Sequence, residues 1–265
     1  MKKAAFFCLV LCTSFLFGCG GGGGATNGSV AQGTAEGVYT GTNSIGHVSN
    51  PIKVLVLETG EVFGIYGIED GFGRLTVYGA VTGTATTSNG IFSVANALDY
   101  YRRGSARYTA ILQGTYVTGA SLSGTITETT ANTSVTSDIS ASTPVATNYV
   151  YNKAASVQEV SKAWSGVLSG NTGTNNQTQP VVNFSVANGT ISGATTSGCN
   201  VAGSLSPRAS GKNVFDASVT LTDASGNCPV QLIGTHTGIG IIYTIASGKQ
   251  LILIADSGEF QLWAN

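Results

Sequence analysis

The sequence predicts an all-β protein made of two tandem antiparallel β-barrel-like (meander) lobes, related by internal duplication, with one short connecting helix. Three observations carry this. Charged residues make up 9% of the chain, against roughly 25% in ordinary soluble proteins, and Gly, Thr, Ser and Asn take their place. β-branched residues and turn formers without charge belong to strands and tight turns. Disorder goes with low hydrophobicity and high net charge, whereas here 42% of residues are apolar and the formal net charge is −1. Secondly, turn dipeptides punctuate apolar segments throughout. Thirdly, the chain matches itself. Gly37-Val38-Tyr39-Thr40-Gly41 recurs 129 residues later as Gly166-Val167-Leu168-Ser169-Gly170. In the same register, Thr59-Gly60-Glu61-Val62 recurs as Asn188-Gly189-Thr190-Ile191. Further on, Asn89-Gly90-Ile91-Phe92 is answered by Lys212-Asn213-Val214-Phe215, so an insertion or deletion lies between. A period this long means two domains rather than a solenoid.

In chain order, Met1-Lys2-Lys3 is a short positive segment, and Ala4 to Phe17 is an apolar run broken by Thr13 and Ser14 alone. A spanning helix takes ~20 apolar residues; a shorter run behind a positive start is an export signal. The run ends in Leu16-Phe17-Gly18-Cys19. This resembles the lipobox of bacterial lipoproteins (an aliphatic residue, a small residue, Gly or Ala, then Cys), with Phe17 bulkier than that family prefers. The resemblance implies a signal peptide over 1–18, cleavage before Cys19, a diacylglyceride on its thiol and an acylated amine. An ordinary secretory signal cut near Ala25, discarding Cys19, is the competing reading. Residues 19–36, opening with Gly20 to Gly24, have the composition of a flexible tether. Gly rather than Asp at position 20 implies, by the same resemblance, sorting to the outer membrane. Two or more acyl chains would anchor the protein stably.

The first lobe is expected over 37–152. Its strands include Ile52–Leu57, Val62–Tyr66 and Leu122–Thr127, with 145–151 as the closing strand. The second lobe is expected over 153–265. Asn188-Gly189, Ser210-Gly211, Ser225-Gly226 and Ser247-Gly248 read as its hairpin turns; Asn-Gly suits a type I′ turn, which needs positive φ at both central residues. Ile241–Ile245 and Leu251–Ile254 flank the last of them. Ser156-Val157-Gln158-Glu159 reads as a capping box. It opens a helix from Val157 to Trp164 with Val157, Val160 and Trp164 on one face, placed as a plug or connector at the mouth of the second lobe. About eight short strands per lobe, joined by tight turns, favour an up-and-down barrel, with a sandwich as the second arrangement.

Chemistry is sparse. The chain has no Lys/Arg stripe with which to neutralise phosphates, so nucleic acid is not an expected partner. His47 and His236 are not equivalent under the repeat, and no Gly-x-Ser-x-Gly elbow accompanies them. No catalytic residue, metal ligand or cofactor is therefore assigned, and a non-enzyme is expected. Glu58, Glu61, Glu69 and Asp70 gather around the first hairpin and are read as solvated turn residues rather than a glycosidase pair or a Ca²⁺ site. Outside the leader and lipobox, Cys199 and Cys228 remain, and an even pair in an exported protein reads as a disulfide. Asp99-Tyr100-Tyr101-Arg102-Arg103 interrupts a bland Ser/Thr surface with residue types that carry binding hot spots. Tyr100, Tyr101, Arg102 and Arg103 form a candidate binding loop between strands ending near Ala95 and starting near Ala106. The alternative is core-facing tyrosines beside a solubilising Arg pair.

An acylated Cys, a Gly run and paired β lobes resemble the layout of Gram-negative surface lipoproteins of the transferrin-binding and factor-H-binding types. The resemblance covers plan and leader only, and no binding motif of those proteins is present to carry a ligand across. The expectation is a membrane-anchored envelope lipoprotein, held in the outer membrane by its acyl chains. It would act as a non-enzymatic binding or interaction module for an unidentified protein or small molecule. A structural or assembly-accessory lipoprotein is the alternative, and a hydrolase the third reading.

Overall fold

Strands that alternate apolar and polar residues have one face to bury, and a meander of them does so by closing on itself. A computed structural model describes residues 33–101, 106–129, 133–170, 179–223, 225–230 and 232–265. The leader, Cys19, the Gly run, Arg102 and Arg103 lie outside the described residues.

The first lobe runs β1 (Gly37–Ile45), β2 (Val48–Val56), β3 (Glu61–Glu69), β4 (Leu75–Thr84), β5 (Thr86–Ser88), β6 (Ile91–Tyr101), β7 (Ala106–Val117), β8 (Ser121–Thr129) and β9 (Ser134–Ser142). β4 and β5 act as one strand against β6, and β9 pairs with β1, so eight staves close antiparallel. A four-residue helix, α1 (Val157–Val160), leads into β10 (Ala163–Ser169), β11 (Val181–Ala187), β12 (Thr190–Thr195), β13 (Cys199–Pro207), β14 (Phe215–Asp223), β15 (Gly234–Ile245), β16 (Gly248–Ala255) and β17 (Gln261–Ala264). These form a second closed eight-stranded barrel.

The repeat maps onto this topology. Gly37 and Gly166 lie in the first stave of each barrel, Glu61 and Thr190 open the third, and Phe92 and Phe215 are core residues of the fifth. Asn89-Gly90 and Asn188-Gly189 have positive φ at both residues (49° and 79°, 51° and 82°), as a type I′ turn requires. Both closing seams need glycine. A Cβ on Gly41 or Gly166 would run into the carbonyl oxygen of Ser140 or Trp263 on the closing strand.

Several expectations are corrected. Residues 145–151 do not form the closing strand; β9 does, and 145–151 is turn and coil. Its alternation reflects Tyr149 and Tyr151 inserting between the lobes, where both are buried. The helix stops at Val160, and Trp164 belongs to β10. Ser156 makes no side-chain cap and instead bonds Gln158, while Glu159 pairs with Lys153 and Lys249. Ser225-Gly226 lies in a ten-residue connection between β14 and β15 rather than in a tight hairpin. That connection is held by the Cys199–Cys228 disulfide, which closes a separation of 29 residues; a loop of this size is worth ~3 kcal/mol on the chain-entropy argument.

The two barrels share a core. Outward-facing Val38, Leu55, Leu57, Phe63, Ile65, Leu75 and Val77 pack on Ile239, Ile241, Tyr243, Ile252, Ile254 and Trp263 of the second barrel. Polar groups fix the register of this contact. The Gln250 side chain is buried and bonds Leu75 as a strand would, accepting from its N–H (3.0 Å) and donating to its C=O (2.9 Å). Arg208 spans Glu58 (2.6 Å), Glu61 (2.9 Å) and Asp216 (2.9 Å), and Arg107 meets Glu259 (2.8 Å). Removing a buried aliphatic side chain costs ~2–5 kcal/mol, and here the loss falls on both lobes. Urea unfolding followed by tryptophan fluorescence reads the second lobe and the interface; circular dichroism reads both lobes. The two curves are expected to superimpose, and Ile252→Ala is expected to shift both together. Two separate transitions would show the lobes to be independent.

Candidate functional site

The barrel ends differ in how they are closed, and that difference locates the site. In the second barrel, α1 covers one end, with Val160 in the core and Val157 packed against it. At the other end the disulfide-held connection folds Cys228 and Leu232 into the same core beside Phe260. His236 stacks on Phe260 (4.5 Å between centroids) and contacts the Leu232 carbonyl, while His47 sits exposed in the β1–β2 turn. The base of the first barrel is closed by the incoming chain. Tyr39 donates to the Ala35 carbonyl (2.9 Å), Tyr116 donates to that of Gly33 (2.6 Å), and Ala35 is fully buried.

The opposite end of the first barrel, where β1, β3, β6 and β8 finish, is lined differently. Strand alternation continues inward past the apolar core, but the residues become polar and aromatic. On β1, Asn43 faces in, opposite Ile139 and Asn50. Tyr66, Tyr78 and Tyr101 pack on the first-lobe core from β3, β4 and β6. Tyr108 lies opposite Asp99 across the β6–β7 ladder, Glu128 lies opposite the core residue Ala110, and Ser137 opposite Ile126. A bulge between Tyr66 and Gly67 and a register shift between Val94 and Ala97 turn Tyr66, Asp99 and Tyr101 toward this end; bulges commonly re-aim side chains near barrel rims.

Asp99 is the centre of the group. It is 1% exposed, and Tyr66 Oη donates to its Oδ1 at 2.8 Å. Burial, followed by the charge and hydrogen bond of Glu128, pushes its pKa well above the carboxylate range, while the Tyr66 bond pulls the other way. Asp99 therefore keeps its proton into a pH range where ordinary carboxylates have lost theirs. Burial and the neighbouring Asp99 also raise Tyr66. Asn43 is 8% exposed, and its Oδ1 has no hydrogen-bond partner.

The residues singled out in the sequence fall in different places. Tyr100 and Tyr101 are in strand, since β6 continues to residue 101 instead of ending near Ala95. Tyr101 reaches the first-lobe core. Tyr100 faces outward yet is 1% exposed, with Glu259 of the second lobe among the charges acting on it; burial pushes its pKa up to about 12. Glu58 and Glu61 are not free turn residues, because they hold Arg208 of the other lobe. Glu69 holds Lys53, itself buried over the Tyr243 ring (4.7 Å), beside an interlobe cleft of about 390 Å³ whose charges are already paired. Asp70 pairs with Arg74. Glu128 and Asn43 were missed, and Asp99 was named only as the first residue of the candidate binding segment, not as a site residue. The available signal was a carboxylate at an inward position of an alternating strand, two residues after Ala97.

No protein-family model matches the sequence, and no curated protein is similar to it.

Asp99 makes stability depend on pH. Among the described residues, Glu128 of β8 and Tyr66 of β3 act on it, and Tyr108 of β7 lies opposite it. Its folded-state pKa is raised, so its contribution is complete below the unfolded value of ~3.9 and is lost as pH rises through the folded value. The unfolding free energy of the native protein is expected to decline from acid toward neutral pH relative to Asp99→Asn, measured by urea denaturation across that range. A pH-independent difference between the two proteins would contradict this.

Proposed function

We propose that the protein is a lipid-anchored outer-membrane lipoprotein, acylated at Cys19, that acts as a non-enzymatic binding module through the mouth of its first barrel. The observation that carries the binding part is the contrast between the ends. Among the described residues, three of the four are closed by the chain's own backbone and apolar side chains, while the fourth carries tyrosines, an unpartnered amide oxygen and the buried Asp99 carboxyl. Barrels of eight strands either fill with side chains or keep room for one small ligand near an end. Polar groups with unmet hydrogen-bonding capacity in a low-dielectric setting are costly to stability and are characteristic of ligand sites. The anchoring part rests on Leu16-Phe17-Gly18-Cys19 and the Gly run behind it.

A structural or assembly-accessory role is the second reading. It is favoured by the apolar packing that fills both barrel bodies and the interface between them.

Fractionation and protease shaving of intact cells test the proposal. The native protein is expected in the outer-membrane fraction, and Cys19→Ala is expected to be released as soluble protein. Susceptibility of native protein to external protease would place the lobes outside the cell; protection would place them inside and favour the accessory role. If Cys19→Ala fractionates like the native chain, the anchor assignment is wrong.

A further inference from the structure

We infer that the cleft between the two lobes is a second binding site, for a neutral, hydroxyl-rich ligand such as a sugar, read by a row of side chains formed by Ser142, Thr40 and Lys53. It shares no residue with the barrel mouth and stands independently of the reading of that end.

The row follows from strand register. Ser142 of β9 lies opposite Thr40 of β1, and Thr40 lies opposite Lys53 of β2. Directly opposite residues share a face, with Cβ atoms roughly 5 Å apart. Val38 and Leu55, two residues from Thr40 and Lys53 on the same strands, belong to the interlobe core. The row therefore stands on the outer face of the first barrel, turned toward the second. It forms one wall of a cleft of about 390 Å³, which Glu69, Pro144, Val145, Asn148 and Tyr243 of β15 help to complete. Clefts of ~300–1,000 Å³ hold small molecules.

Lys53 is the reason to expect an occupant. It is 6% exposed, and its neighbours on this face, Leu55 and Ile65, are apolar. Leucine or methionine at this position would extend the interlobe seam without the cost of burying a charge. The ammonium lies over the Tyr243 ring (4.7 Å) and donates to Glu69 (2.8 Å). An ammonium has three donors, and among the described residues this one makes a single hydrogen bond. Tyr243 is 3% exposed, its hydroxyl has no hydrogen-bond partner, and stacking with Tyr149 (4.8 Å between centroids) fixes its ring. Two polar side chains, each more than nine-tenths buried and each with unused hydrogen-bonding capacity, thus line one cavity.

The lining selects the class of ligand. Among the described residues, the charges at the cleft are Lys53 and Glu69, and they neutralise each other. An anion would have to displace Glu69, and a cation would have to displace Lys53. A neutral ligand leaves the pair intact. Lys53 donates and Glu69 accepts, while the hydroxyls of Thr40, Ser142 and Tyr243 and the amide of Asn148 do both. A molecule carrying several hydroxyls offers the same mixture in return, and Pro51, Pro144 and Val145 supply apolar surface for the C–H faces of its ring.

The test is titration of the full chain with glucose, galactose, mannose, N-acetylglucosamine and maltose, followed by saturation-transfer NMR and calorimetry. Gluconate and glucosamine serve as anionic and cationic counterparts. At least one neutral sugar is expected to bind, and more tightly than either charged counterpart. Lys53→Met is expected to weaken that binding ~10-fold or more, because a charged donor is lost. Thr40→Val keeps the side-chain shape and is expected to weaken it ~5-fold. Urea unfolding checks that the variants fold, and Thr40→Val carries the test should Lys53→Met fold poorly.

Failure of every neutral sugar to bind would overturn the inference, as would sugar binding indifferent to both substitutions. Tighter binding of gluconate that depends on Lys53 would make the cleft an anion site, and tighter binding of glucosamine lost in Glu69→Gln a cation site; either refutes the neutral class. Sugar binding lost in Asp99→Asn but kept in Lys53→Met and Thr40→Val would move the ligand to the mouth and leave the cleft without one.

Discussion

The structure depends on one contact, the burial of the outer faces of β1–β4 against the outer faces of β15–β17. A lone barrel built from these strands would expose Leu55, Phe63, Ile65 and Val77 to water, and a patch of that kind on a monomer marks an unmade interface. Pairing the lobes removes it at ~25 cal/mol for each Å² of apolar surface covered. Nothing about that term is directional. The Gln250–Leu75 pair and the Arg208 cluster supply the direction, because each is satisfied in one register of the two barrels. The 145–155 connection then runs along the joint, with Tyr149 stacked on Tyr243 and bonded to the Asn213 carbonyl.

Fixing the lobes in this way has a consequence for the barrel ends. Duplicated barrels begin with equivalent ends, and the chain treats them unequally. The second barrel receives a helix at one end and a disulfide-held connection at the other, so its interior is apolar from Trp164 to Phe260. The first receives its own incoming segment at the base and no equivalent cover, among the described residues, at the mouth. The inner residues there cannot be wholly apolar without exposing them, nor wholly polar without undermining the core above Ile126 and Ile139. Tyr66 meets both demands by presenting its ring to the core and its hydroxyl to Asp99.

Much of the architecture was legible because β structure is periodic. Glycine turns, the 129-residue register and the strand spacing lead to two meander barrels and to the disulfide. The misreadings share a cause. Segment 145–151 alternates because its tyrosines enter the interlobe core from an irregular connection, and alternation does not record hydrogen bonding. Val157 to Trp164 has helical spacing, but Trp164 continues into the barrel as strand, since tertiary packing overrides weak local propensity in so short a segment. The interface left a signal that was available: Ile52–Leu57 and Leu251–Ile254 are near-continuous apolar runs. Such runs indicate strands buried on both faces rather than one. The site was less legible because it is assembled from seven strands, with one or two inward residues from each. No local motif spans it, and the conspicuous tyrosines drew notice to β6 while the decisive residue was Asp99 just before them.

Asp99 is also the place where stability and local rules part company. Its neighbours along the inner face, Val94 and Ala97, are apolar, and a leucine there would fit the pattern without desolvation cost. A buried carboxyl set against a second carboxyl works against the fold and is retained only with compensation. The Tyr66 hydroxyl compensates in part, through one hydrogen bond. Places where a sequence breaks its own pattern without an evident structural gain are where function is expected.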